Sequence, residues 1–158
     1  MTPGALLVLC KKNAHMIAVA ESCTGGLLAG AITSVAGSSD IFDRGFVTYT
    51  NAAKVQMLGV KDATLAEYGA VSEPVAIEMA QGARAHSDAT ITVAITGIAG
   101  PGGSEFKPEG RVCFAWANAD DCRSQTIEFG AIGRTEVRKA AVDHALALLG
   151  KAAFLPRS

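Results

Sequence analysis

The chain has 158 residues, the length of one domain, with 49% hydrophobic and only 18% charged residues, which excludes a disordered or low-complexity polypeptide. Lys and Arg total 14 against 15 Asp and Glu, a net charge of −1, which leaves no electrostatic footprint for nucleic acid or an anionic membrane and points to a small-molecule ligand. Aromatic residues make up 6%, so the core has to be built from Ala, Val, Ile and Leu.

Residues 4–13 are predicted to form a short helix. Its stretch Ala5-Leu6-Leu7-Val8-Leu9-Cys10 is too short to span a bilayer. It also lacks a basic leader and a small-residue cleavage site, so the expected compartment is the cytoplasm. Met16 to Ala20 reads as a strand buried on both faces. A polar turn, Ser22 to Gly26, leads into a helix marked by Leu27, Leu28, Ala31, Ile32 and Val35 at helical spacing. Gly37-Ser38-Ser39-Asp40 ends it. Residues 46–50 are predicted as the next strand, and Asn51 as the cap of a short helix that runs to Met57 and closes at Gly59. Residues 63–68 add a helical turn.

Ser72-Glu73-Pro74 opens a longer helix, with a capping Ser, an acid and a Pro in the first turn. Val75, Ala76, Met79, Ala80 and Ala83 form its buried stripe. Residues 89–96 alternate as a strand, and Gly97-Ile98-Ala99-Gly100-Pro101-Gly102-Gly103 is a glycine-rich loop. Residues 111–117 and 124–129 read as a hairpin across Asn118-Ala119-Asp120-Asp121, and residues 134–149 as the last helix. The order α-β-α-β-α-α-β-β-β-α predicts one α/β domain over residues 1–158. Its architecture is a three-layer α/β/α sandwich with a mixed sheet. The cysteines Cys10, Cys23, Cys113 and Cys122 form no CxxC pair and have no His at ligand spacing, so they read as buried thiols with no metal.

Ser22 follows a buried strand and precedes a helix, the place where an open α/β sheet forms its ligand crevice. The first-turn amides of the helix are unpaired, and Gly25 and Gly26 let a substrate approach them. Ser22 or Thr24 reads equally as a helix cap. The stretch Ala20-Glu21-Ser22-Cys23-Thr24 is no GxSxG elbow. His15, His86 and His144 each read as structural, which leaves no His base. Lys54 lies in the first turn of a helix, where the dipole disfavours a cation by about 0.3–1 kcal/mol. That and partial burial would lower its pKa and make it a base for Ser22, although a solvated surface Lys has the same local signature. Tyr49 could lend its hydroxyl to the same network. The glycine-rich loop after Thr96 is neither a Walker loop nor a dinucleotide fingerprint. Arg134 and Arg138, four residues apart, could grip a phosphate together or lie on a solvated face.

Four stretches together resemble one family. They are Ala20-Glu21-Ser22-Cys23-Thr24-Gly25-Gly26, Gly45-Phe46-Val47-Thr48-Tyr49-Thr50-Asn51-Ala52-Ala53-Lys54, Gly69-Ala70-Val71-Ser72-Glu73 and Thr96-Gly97-Ile98-Ala99-Gly100-Pro101. The chain is similar over nearly its whole length to the CinA C-terminal domain, also known as the PncC-type nicotinamide mononucleotide amidohydrolases. The resemblance implies an α/β/α sandwich and a Ser–Lys amidase that uses neither metal nor cofactor. It also implies hydrolysis of nicotinamide mononucleotide to nicotinic acid mononucleotide and ammonia in pyridine nucleotide salvage, usually by a homo-oligomer. The family's serine falls on Ser22, its lysine on Lys54 and its strand tyrosine on Tyr49. Substrate contacts are then expected from Glu21, Thr24, Gly25, Gly26, Asn51, Thr96, Gly97, Gly100, Arg134 and Arg138.

The family loop commonly reads Gly-Pro-x-Gly-Gly and, after three residues, Lys-Pro-Val-Gly. Here Gly100-Pro101-Gly102-Gly103-Ser104-Glu105-Phe106-Lys107-Pro108-Glu109-Gly110 is one residue shorter, with Glu109 in place of Val. Many relatives also carry a large domain resembling molybdopterin-binding proteins, to which nothing here corresponds. Two other readings therefore stand beside the amidase: a nucleotide- or partner-binding module without turnover, and an amidase for another small amide.

Overall fold

The computed structural model describes residues 1–104 and 106–157. Its elements run α1 (Pro3–Asn13), β1 (Ile17–Glu21), α2 (Leu27–Thr33), β2 (Phe42–Val47), α3 (Asn51–Leu58), α4 (Asp62–Tyr68), α5 (Glu73–Ala85), β3 (Ile91–Gly97), β4 (Arg111–Ala117), β5 (Cys122–Glu128) and α6 (Arg134–Ala153), with a 3-10 turn at Ser38–Asp40 before β2. The strands form one sheet in the order β2-β1-β3-β4-β5. β1, β2 and β3 are parallel, and β4 and β5 are added antiparallel as a hairpin. Helices α1, α2 and α6 cover one face and α3, α4 and α5 the other, giving the α/β/α sandwich.

The two faces are built differently. Ile17 and Val19 of β1, Ile91, Val93 and Ile95 of β3, and Val112 and Phe114 of β4 point toward α1, α2 and α6. Ala20, Ala94, Cys113, Ala115 and Ala117 point toward α5. The sequence alternates large and small along the same strands, so the pleat sorts the two classes onto opposite faces. On the small-residue face α5 meets the sheet through Val75, Ala76, Met79, Ala80 and Ala83, all of them fully buried, as its stripe predicted. Thr92 Oγ1, buried on this face, donates to Ala80 O at 2.7 Å. Truncating Phe114, the bulkiest wholly buried apolar side chain, would cost about 3–5 kcal/mol.

The helix starts follow local chemistry. Thr2 caps α1 by accepting from Ala5 N, with Pro3 in the first turn, and Ser72 caps α5 by accepting from Val75 N. Several expectations differ from the structure. β2 is Phe42–Val47, not residues 46–50: Thr48 N still reaches Glu21 O, and then the chain leaves the sheet. β2 is an edge strand with no fully buried side chain, so its apolar signal is weak. Thr50, not Asn51, caps α3, its Oγ1 accepting from Ala53 N at 3.1 Å. At its other end α6 extends to Ala153, because Leu148, Leu149 and Ala153 continue its buried side. β5 starts at Cys122, where Asn118 Oδ1 accepts from Asp120 N and Asp121 N and folds the hairpin turn. The cysteines are free thiols; Cys10, Cys23 and Cys113 are buried, while Cys122 is only half-buried. Among the described residues no helix is long and apolar enough to cross a membrane.

Candidate active site

β1 and β3 end side by side, and Ser22 N donates to Ile95 O to continue their pairing by one residue. Beyond that point residues 22–26 form a tight turn into α2. Gly26, at φ +103°, adopts a backbone that a side chain would strain, and it sits where α2 begins without a side-chain cap of its own. Ser22 is therefore not the cap of α2. That task falls to Glu21: its Oε1 accepts from Leu28 N at 2.9 Å and its Oε2 from Ala29 N at 3.0 Å. Glu21 is wholly buried and faces the helix N-terminus, so it supports the turn and does not face the cleft. The amides that α2 was expected to offer a substrate are in part already taken by this carboxylate.

Lys54 reaches Ser22 from α3, 32 residues further along. Its Nζ lies 3.0 Å from Ser22 Oγ, 2.8 Å from Thr48 O and 3.3 Å from Tyr49 O. Lys54 is only 1% exposed, which rules out the solvated surface lysine. Burial is the cause that pulls its pKa from 10.5 down to about 8. A neutral amine has two N–H bonds and one lone pair. The two carbonyls can take the N–H bonds, and the lone pair then faces the Ser22 hydroxyl. Next to Ser22, burial pushes the Cys23 thiol up to about 11, so it stays protonated and adds no charge to the pair.

The pair opens into a cleft of about 340 Å³, bordered by Tyr49, Asn51 and Arg134 and by Thr96, Gly97 and the glycine-rich loop. Thr96 Oγ1 donates to Ala70 O, and Lys107 Nζ donates to Tyr68 O and Val71 O. These bonds tie the loop and the end of β3 to the segment between α4 and α5. Among the described residues, the amides of Cys23, Ala99 and Gly100, three residues that line the cleft, donate to no protein acceptor, so they are available to an oxyanion. Thr24 itself is fully buried, with Oγ1 unpaired, and does not line the cleft. Glu109 packs its carboxyl against the α-carbon of Gly100, at φ +92°, where any side chain would collide with it.

The two arginines do not act together. Arg134 donates from one terminal nitrogen to Gly100 O at 2.8 Å and from the other to Tyr49 Oη at 2.9 Å, at the rim of the cleft. Arg138 donates from Nε to Cys23 O at 3.0 Å and from a terminal nitrogen to Thr24 O at 3.4 Å. It braces the back of the Ser22 turn, beside Gly25. Sequence reasoning missed this brace, the carbonyl role of Thr48 and the tether through Lys107. The motif Gly69 to Glu73 was a signal for the last of these. The histidines are structural: His15 bonds Thr90 and Leu155, His86 bonds Gly82 O, and His144 packs on Phe114. Among the described residues no three His, Cys, Asp or Glu side chains gather as a metal site requires.

A buried lysine within hydrogen-bond reach of a serine at the carboxyl edge of a parallel sheet, beneath a glycine-rich loop, places the molecule among α/β/α proteins with a ligand cleft at that edge. The chain belongs to the CinA C-terminal domain family, whose model matches residues 4–153. It is 51% identical over 140 residues to the nicotinamide-nucleotide amidohydrolase PncC of Escherichia coli strain K12, covering 88% of this chain and 85% of that one. A CinA-like protein of Syntrophobacter fumaroxidans is 50% identical over 140 residues, 88% of this chain but 33% of that longer protein. Among solved structures, a competence/damage-inducible protein of Agrobacterium tumefaciens superposes with a TM-score of 0.86 at 48% identity, over 97% and 98% of the two chains. A CinA superfamily protein of Escherichia coli does so with a TM-score of 0.91 at 38% identity, over 97% and 88%.

Proposed function

We propose that the Ser22–Lys54 cleft hydrolyses the amide of nicotinamide mononucleotide to nicotinic acid mononucleotide and ammonia, in pyridine nucleotide salvage. One observation carries this reading: a wholly buried lysine with a lowered pKa within hydrogen-bond reach of a serine at the floor of an open cleft. The curated name of the relative that is 51% identical supports the substrate.

Neutral Lys54 takes the proton of Ser22 Oγ as that oxygen bonds to the amide carbon. The carbonyl oxygen becomes an oxyanion and is held by the amide of Cys23 or by those of Ala99 and Gly100; one such donor contributes roughly 3–4 kcal/mol. The C–N bond then breaks, Lys54 returns the proton to the leaving nitrogen, and ammonia departs. Water, deprotonated by Lys54, cleaves the acyl ester and releases the acid, and Ser22 regains its proton. Arg134 keeps free N–H donors after its two protein bonds and would meet the phosphate at the rim. The family resemblance further supports a homo-oligomer acting in the cytoplasm.

The test is ammonia release from nicotinamide mononucleotide by the parent and by Ser22→Ala. Release by the parent and its loss in the variant is the expected result. Binding without ammonia from the parent would favour a non-catalytic module. Glu109 behind Gly100 supports a second reading, an amidase for a different small amide, since an acidic group backs the loop that lines the cleft. A panel of related amides in the same assay separates the two.

A further inference from the structure

The opposite end of the sheet holds a second cavity, of about 500 Å³, larger than the Ser22 cleft and within the range of small-molecule sites. Its cations come from three places in the chain: Arg84 near the end of α5, Lys151 in the last turn of α6, and Arg157 beyond it. Among the described residues, none of the three side chains makes an ion pair or a hydrogen bond to protein. The Nε of Arg84 is buried and unpaired, a state that costs free energy until an acceptor arrives. Of the two carboxylates at the rim, Asp88 already faces Arg44 at 3.8 Å, which leaves Asp120 against three cations.

The wall of this cavity is built, not incidental. Asn13 Nδ2 donates to Ala153 O and Phe154 O, His15 Nε2 donates to Leu155 O at 2.6 Å, and Arg157 N donates to Asn13 O. These bonds strap residues 153–157 across the edge of the sheet and bring Arg157 to the cavity. Trp116 of β4, the single tryptophan of the chain, lines the same space and is half-buried.

We propose that this end of the sheet is a second small-molecule site, for a phosphorylated ligand with a planar ring, of the nucleoside monophosphate class. Arg84, Lys151 and Arg157 hold the phosphate dianion, and Trp116 offers its ring as a stacking face. The site is separate from the Ser22 cleft and does not depend on what that cleft hydrolyses.

Trp116 is itself the reporter. Its fluorescence is followed while adenosine monophosphate, adenosine or inorganic phosphate is added to the full chain. The expected result is a saturable change with adenosine monophosphate, a weaker response to phosphate and none with adenosine. Arg84→Ala and Lys151→Ala should each weaken binding about tenfold or more, and Arg84→Lys should recover part of the loss. Lys151 and Arg157 are exposed, so Lys151→Ala and Arg157→Ala keep the test valid if Arg84→Ala does not fold. No saturable change with any probe overturns the proposal. A response that survives Lys151→Ala and Arg157→Ala places the ligand elsewhere and overturns it too. Phosphate binding as tightly as the nucleotide overturns the ring.

Discussion

The two ends of the sheet treat charge in opposite ways. At the carboxyl edge of β1 and β3, Glu21 is buried and partnered by backbone amides, Lys54 is buried and partnered by two carbonyls and the Ser22 hydroxyl, and burial there lowers the Lys54 pKa. At the other edge, Lys151 and Arg157 are exposed, Arg84 is half-buried, and all three keep their side-chain donors free. Desolvation favours the neutral form of a lysine, whereas donors without a protein partner leave a cation charged and open to an acceptor. The same residue types meet two environments, and the packing around them decides which.

The largest effects should fall at the buried end. Ser22→Ala should lower kcat/KM about 10³-fold or more while leaving the fold intact by circular dichroism. A loss of only a few-fold would break the contrast, because Ser22 would then take no covalent part in turnover. Lys54→Met should lose a comparable factor, and the parent's kcat/KM should rise through about pH 8 and level off above it, following neutral Lys54. The sign for stability follows from the same shift. The folded pKa lies below the unfolded 10.5, so below about pH 8 the buried ammonium costs roughly 3 kcal/mol, and the cost disappears as pH rises from about 8 to 10.5. Lys54→Met should thus melt no lower than the parent at neutral pH, and its advantage should shrink across that window. Equal pH slopes in both proteins would mean that Lys54 is not desolvated.

Next comes the rim. Arg134→Ala frees Tyr49 and the Gly100 carbonyl and should cost about 10- to 100-fold in kcat/KM, mainly through KM. Arg138→Ala should instead read out as stability, about 1–2 kcal/mol by denaturant titration, with a secondary loss in kcat from a looser Ser22 turn. The reverse assignment would show that the two arginines had been placed the wrong way round. The smallest effect belongs to Lys11→Ala, which breaks a surface pair with Asp40 that is half-exposed on both sides; it should stay below about 0.5 kcal/mol.

Much of this could be read along the chain. The apolar run before Ser22, the Ser72 cap and the alternation of β3 each predicted an element that the fold contains, because capping and period are properties of neighbouring residues. β2 was misplaced by four residues at its start because an edge strand buries little and leaves little pattern. Asn51 was read as a cap since Asn suits that role, yet Thr50 one position earlier takes it. Ser22, likewise, had the look of a cap until Glu21 was seen to hold the amides of α2.

By itself, then, the sequence determined the order and type of the elements apart from α4, which it showed only as a helical turn, the sorting of large and small side chains between the two faces, and the short list of groups able to do chemistry. Only the tertiary structure decided which of them meet. Lys54 and Ser22 are 32 residues apart, and nothing local states that they lie 3.0 Å from each other or that the lysine is dry. Arg134 and Arg138 share a helix at the spacing of one turn, yet one reaches the rim and the other the back of the turn. Periodicity is set by bonds to near neighbours, whereas desolvation and side-chain reach depend on every element packed around a site.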